Sequence, residues 1–147
     1  MSSHSTSVRI ERPAEDVLDF MADPENLSLW SFGTWNVEID ETGLVKGTSI
    51  GDGSVAYVRI AANRKHGLID YLVGVDRDKI LPRIFARVSP GPVLGGHPGE
   101  CALTMVALRT DAMDDERWAT LGITHDFEVR LIKSALESGH DHRANRA

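Results

Sequence analysis

DDERWATLGITHDFEVRLIKSALES, residues Asp114–Ser138, is the stretch on which the fold turns. Trp118, Gly122, His125, Val129, Ile132 and Leu136 follow one another at spacings of four and three, which is one stripe of an α-helix. Leu121, Phe127 and Leu131 flank the stripe, while Arg117, Arg130, Lys133 and Glu137 lie mainly off it. Asp114, Asp115 and Glu116 put negative charge at the positive end of the helix dipole, and Gly139 suits a C-cap. A long amphipathic helix of this kind needs an apolar surface to lie on.

The preceding segments supply that surface. Thr34–Thr42 alternates, with Trp35, Val37 and Ile39 on one face and Asn36, Glu38 and Asp40 on the other, as in a half-buried strand. Gly43 turns the chain into Leu44–Ser49, Gly51-Asp52-Gly53 into Val55–Ala62, and Gly67 into Leu68–Val73. Ile69, Tyr71 and Val73 share a face in the last of these. Arg83–Ser89 and Cys101–Arg109 read as the final strands, joined through the turn-forming run Pro90–Gly99. Short strands linked by tight turns predict an antiparallel meander with the helix across its concave face.

At the other end, Ser5–Glu11 reads as a first strand with Val8 and Ile10 on one face. Pro13 and the acids Glu15 and Asp16 then open a helix whose apolar side carries Val17, Phe20 and Met21. Asp23 caps a second short helix that ends near Leu29-Trp30, and Gly33 releases the chain. The expected fold class is α+β: a curved antiparallel sheet of about six to seven strands around a long C-terminal helix.

Length and composition agree with one domain over residues 1–147, with a core at 8–138 and a fraying tail at 139–147. A formal charge of −6, and no basic patch with interleaved aromatics, argue against nucleic acid as a partner. The single Cys101 excludes an internal disulfide, no apolar run is long enough for a membrane span, and the N-terminus lacks signal-peptide character. A cytoplasmic location is therefore expected.

Arg12-Pro13-Ala14-Glu15-Asp16-Val17, followed by Asp23-Pro24-Glu25-Asn26-Leu27 and Trp30, resembles the opening of the SRPBCC or START-like superfamily. Gly99–Leu103, Asp114–Glu116, Asp126–Glu128, Leu131–Lys133 and Leu136-Glu137 continue the resemblance, which spans Val8 to Ser138. The polyketide cyclase/dehydrase branch is the more similar one, and it shares the helix-grip fold of the birch-pollen allergen. Members include lipid carriers, plant hormone binders, aromatase/cyclases and ring-hydroxylating oxygenase subunits. The resemblance implies a cavity between sheet and helix but supplies no catalytic constellation; the sequence carries no iron-binding His/His/Asp arrangement of the oxygenase branch, and no cofactor is expected.

Candidate residues follow from that cavity. His125, in the middle of the apolar stripe, faces the sheet either as an acid or base or as a hydrogen-bonded core imidazole; facing an apolar cavity, it would stay neutral at pH 7. Arg83 and Arg87 share a face with Phe85, against Ile84, Ala86 and Val88. With the Phe85 face inward, both guanidiniums could hold a carboxylate or enolate oxygen; the aliphatic alternation favours the Ile84 face. Trp30, Trp35, Tyr57, Tyr71, Phe85, Trp118, His125 and Val129 are candidate ligand contacts, each equally explicable as core packing. His97 is a loop residue, and His140-Asp141-His142 on a tail lacks the rigid geometry of a metal site, so no metal is expected.

Three functional readings remain open: a binder of a small hydrophobic, aromatic or polyketide-like metabolite; a cyclase/dehydratase-type enzyme using His125 with Arg87 or Tyr71; and a protein-interaction module. Edge strands and exposed tryptophans would suit a homodimer in the last reading.

Overall fold

The computed structural model of the protein describes residues 2–144. The seven strands among them form one antiparallel sheet: β1 (Ser3–Ile10), β2 (Asn36–Ile39), β3 (Val45–Thr48), β4 (Val55–Asn63), β5 (Leu68–Gly74), β6 (Leu81–Pro90) and β7 (Cys101–Leu108). Their spatial order is β1-β7-β6-β5-β4-β3-β2. The first strand therefore leaves the second at the far edge, and helices α1 (Ala14–Ala22) and α2 (Leu27–Trp30) carry the chain across. Helix α3 (Asp115–Ser138) lies on β1 and reaches over the concave face.

Local chemistry sets most boundaries. The Asp114 carboxylate accepts the Arg117 N–H at 2.7 Å to start α3, and Gly139 ends it in the left-handed region at φ 71°. Asp23 accepts the Glu25 N–H at 2.9 Å and opens a 3-10 turn that runs into α2.

Strand β2 is shorter than the Thr34–Thr42 run expected from alternation. Phe32–Thr34 instead form a 3-10 turn, and Trp35 follows in a helical conformation, stacked on Phe32 at 5.5 Å. At the other end Asp40 folds the chain back by accepting the Thr42 and Leu44 N–H groups, which local alternation does not reveal. β1 begins earlier than expected because pairing with β7 runs from Ser3 opposite Leu108.

The tail makes contacts as far as Ala144, whose N–H donates to the Asp141 carbonyl at 3.2 Å. His142 stacks on Trp35 at 4.5 Å and donates from Nε2 to the Ser28 carbonyl at 2.9 Å. Arg143 donates to the Glu25 carbonyl and to Ser28 Oγ, both at 2.7 Å. Residues 145–147 lie outside the described residues.

The core gathers under the C-terminal half of α3. Val129 and Ile132 belong to one buried cluster with Ile10, Ile69, Leu103 and Cys101 of the sheet and Val17 and Met21 of α1. No helix among the described residues is long and apolar enough to cross a membrane.

Candidate functional site

A cavity of about 510 Å³ lies under the N-terminal half of α3. Leu27, Trp30, Val58, Val73, Ile84, Met105 and Leu121 give it apolar walls; Thr34, Tyr71, Arg83, His125 and Glu128 give it polar ones. The exposed Asp114, Glu116, Arg117 and Thr120 line the end that meets solvent.

Arg83 reaches the cavity through an irregularity in β6. Tyr71 pairs with Ile84, yet Val73 pairs with Leu81, so Leu72 alone stands opposite both Pro82 and Arg83. This one-residue bulge breaks the side-to-side alternation, and the neighbours Arg83 and Ile84 both line the cavity. Beyond it the strand is regular: Ala86 and Val88 are buried, and Arg87 is exposed on the opposite face. The two arginines therefore part company. Pro82, which cannot donate to a sheet ladder, was the sequence signal for the bulge.

His125 and Glu128 are 6% and 4% exposed, with His125 Nε2 3.7 Å from Glu128 Oε1. Burial pushes the imidazole down to about 4, with nearby His4 and Arg83 pushing the same way. Burial pushes the Glu128 carboxyl up to about 8, against the opposing hydrogen bond from Phe32 N–H to its Oε2 at 2.9 Å. Proximity alone would suggest an ion pair, but both shifts favour the uncharged forms. At pH 7 the pair is a neutral imidazole beside a mostly protonated carboxyl.

Tyr71 is buried and donates to the Met21 carbonyl at 2.8 Å, tying β5 to the end of α1. Burial first, and Glu128 second, raise its phenol pKa. Its ring meets Trp30 edge-on at 5.9 Å.

Of the candidates from sequence, Trp30, Tyr71, Arg83 and His125 line this cavity. The others lie elsewhere. Trp35 stacks between Phe32 and His142. Tyr57 borders a separate, smaller pocket of about 300 Å³ with Lys46 and Arg77. Phe85 is half-buried opposite Asp70 and Val106. Trp118 lies beneath the Arg109 guanidinium, 5.9 Å from its ring centre. Val129 belongs to the packed core.

Sequence reasoning passed over Thr34 and Glu128. Glu128 was legible in principle, because Leu121, His125, Glu128 and Ile132 repeat at spacings of four, three and four. Thr34 was not, because its position depends on the 3-10 turn and on Gly47, whose missing side chain lets Thr34 pack directly over β3.

A seven-stranded antiparallel sheet gripping one long helix is the helix-grip fold, and the chain has it. Among solved structures it resembles XoxI from Bacillus cereus, with a TM-score of 0.70 at 15% identity, covering 96% of this chain and 100% of that one. It also resembles the Aha1 dimer from Colwellia psychrerythraea, with a TM-score of 0.67 at 12% identity, covering 96% and 100%. The di-domain ARO/CYC protein BexL of the BE-7585A biosynthetic pathway gives a TM-score of 0.63 at 17% identity, covering 99% of this chain and 48% of that one. At these identities the likeness is one of fold. No protein-family profile matches the sequence, and no curated protein does.

Proposed function

We propose that the protein binds a small hydrophobic molecule, aromatic or polyketide-like in character, between the sheet and the N-terminal half of α3. The observation that carries this reading is the cavity itself. Its volume of about 510 Å³ falls within the range of small-molecule sites, and its walls are mostly apolar with a few convergent polar groups. Apolar burial supplies the drive, at roughly 25 cal/mol per Å² removed from water. Native mass spectrometry of protein purified from its own host, repeated after denaturation, tests it. A reproducible extra mass lost on denaturation is expected; loss of the reading follows if neither that mass nor binding of added apolar probes is found.

A second reading, a cyclase- or dehydratase-type enzyme, is favoured by the His125–Glu128 pair. A carboxyl pushed up to about 8 is an acid at neutral pH, and an unprotonated imidazole beside it is a base. In that case His125→Gln abolishes turnover while binding survives. A carrier has no turnover to lose.

A further inference from the structure

Three buried side-chain atoms lack a hydrogen-bond partner among the described residues: Thr34 Oγ1, Arg83 Nη1 and His125 Nδ1. All three residues line the same cavity. Thr34 and His125 are more than nine-tenths buried, at 3% and 6% exposed. Buried polar atoms are nearly always paired, so the convergence of three such atoms specifies what an occupant must supply.

The chemistry of the three narrows the occupant. A guanidinium N–H can only donate, and the Thr34 hydroxyl and the imidazole can each donate as well, so oxygen acceptors suit all three. Arg83 also brings a permanent positive charge, with no ion pair among the described residues. Glu128 does not balance that charge at pH 7, since burial keeps its carboxyl mostly protonated. A planar guanidinium is best matched by a carboxylate, which can take two parallel N–H groups. The bulge in β6 is what turns this cation inward beside Ile84.

Building on the binding reading above, we propose that the ligand is a hydrophobic monocarboxylate. Its carboxylate lies against Arg83, within reach of Thr34 and His125, and its apolar body lies against Val73, Met105 and Leu121.

Calorimetric titration at pH 7 with 2-naphthoate and its neutral isostere 2-naphthamide tests the proposal on the intact chain and on Arg83→Gln and Arg83→Lys. Decanoate and decanamide repeat the comparison for an aliphatic body. In at least one pair, the acid is expected to bind the unmodified protein about tenfold or more tighter than the amide. Arg83→Gln should erase that preference and Arg83→Lys restore part of it. Amides as tight as acids in both pairs, or a preference that survives Arg83→Gln, overturn the carboxylate assignment. Neutral Nile red separates the two failures: if it binds while no acid is preferred, the hydrophobic site stands without its anion. If neither it nor any of the four compounds binds, the site itself falls. Should Arg83→Gln fail to fold, the acid–amide comparison on the unmodified protein still decides.

Discussion

The two halves of α3 lie on the same sheet and do opposite things. The C-terminal half sets Val129 and Ile132 into a close-packed core, where Ile10, Val17, Ile69 and Leu103 are fully buried. The N-terminal half sets Leu121 and His125 over open space, with Glu128 just past its end. Val17 and Met21 of α1 join Val129 and Ile132 in the packed cluster, whereas at the other half Leu27 and Trp30 of α2 stand as a wall and leave the space beneath α3 open. The packed half supplies the apolar burial that drives folding. The open half keeps buried polar groups that cost stability, which a protein tolerates only where the rest of the fold is secure.

One residue type at both ends breaks or upholds this contrast. Leu103→Ala removes a side chain with no exposure from the packed end and should cost about 3 kcal/mol, through lost transfer energy plus a new cavity. Leu121→Ala only enlarges a space that already exists and should cost about 1 kcal/mol or less. Urea unfolding of both variants checks the pair. Equal losses would mean that the open half is as tightly packed as the other.

Glu128 sharpens the contrast through pH. Its pKa is raised from 4.5 to about 8 on folding, so the folded state holds the proton more tightly. Its favourable contribution is complete below about pH 4.5 and is lost as pH rises through about 8. His125 runs the other way: lowered from 6.5 to about 4, it costs stability as pH falls through that window. Glu128→Gln keeps an acceptor for the Phe32 N–H and has no proton to lose. It should stabilise the protein by several kcal/mol at pH 9 and by almost nothing at pH 4. Thermal unfolding across that range reads the effect. A pH-independent gain would show that Glu128 is not the titrating group.

The packed half was far easier to read from sequence than the open one. Val129, Ile132 and Leu136 repeat at helical spacing, Val8 and Ile10 at strand spacing, and those periods follow directly from backbone geometry. The cavity depends on features that no period encodes. Arg83 turns inward through a single extra residue, and Thr34 leaves the expected strand for a 3-10 turn because Ser31 accepts its N–H at 3.2 Å. Strand pairing decides the first and a local turn the second, and alternation reveals neither, so it placed Arg83 with Arg87, and Trp35 on a strand. Glu128 is the exception. It occupies a buried position of the helical repeat, and its charge hid it.

Gly47 tests whether the open half is built as closely as its outer wall suggests. A side chain there would begin within 2.9 Å of Thr34 Cβ and 3.0 Å of its Cα, too close for either to stay. Gly47→Ala should therefore cost about 1–2 kcal/mol by overpacking and shift the Thr34 wall of the cavity. Adding Thr34→Ala should recover part of that loss, so the two changes together cost less than their sum. Additive losses would place the strain somewhere other than this contact.

The smallest effect concerns the tail, which belongs to neither half yet bears on one. Arg143 and His142 hold the Glu25 and Ser28 carbonyls, and Asp141 orients Arg143 by accepting its backbone N–H at 2.8 Å and its Nε at 3.0 Å. These bonds clamp α2, whose Leu27 and Trp30 form a cavity wall. Arg143→Ala removes two donors from partly solvated partners, so global stability should fall by only about 0.5–1 kcal/mol. Its local consequence should be larger in proportion. The Ser31 amide, bonded to the Leu27 carbonyl at 2.8 Å, should exchange its hydrogen faster while amides around Ile132 keep their protection. If Ser31 and Ile132 respond alike, the tail stabilises the fold as a whole. If only Ser31 responds, the open half is held shut by a segment outside the grip, and the rate of ligand entry should rise with the same substitution.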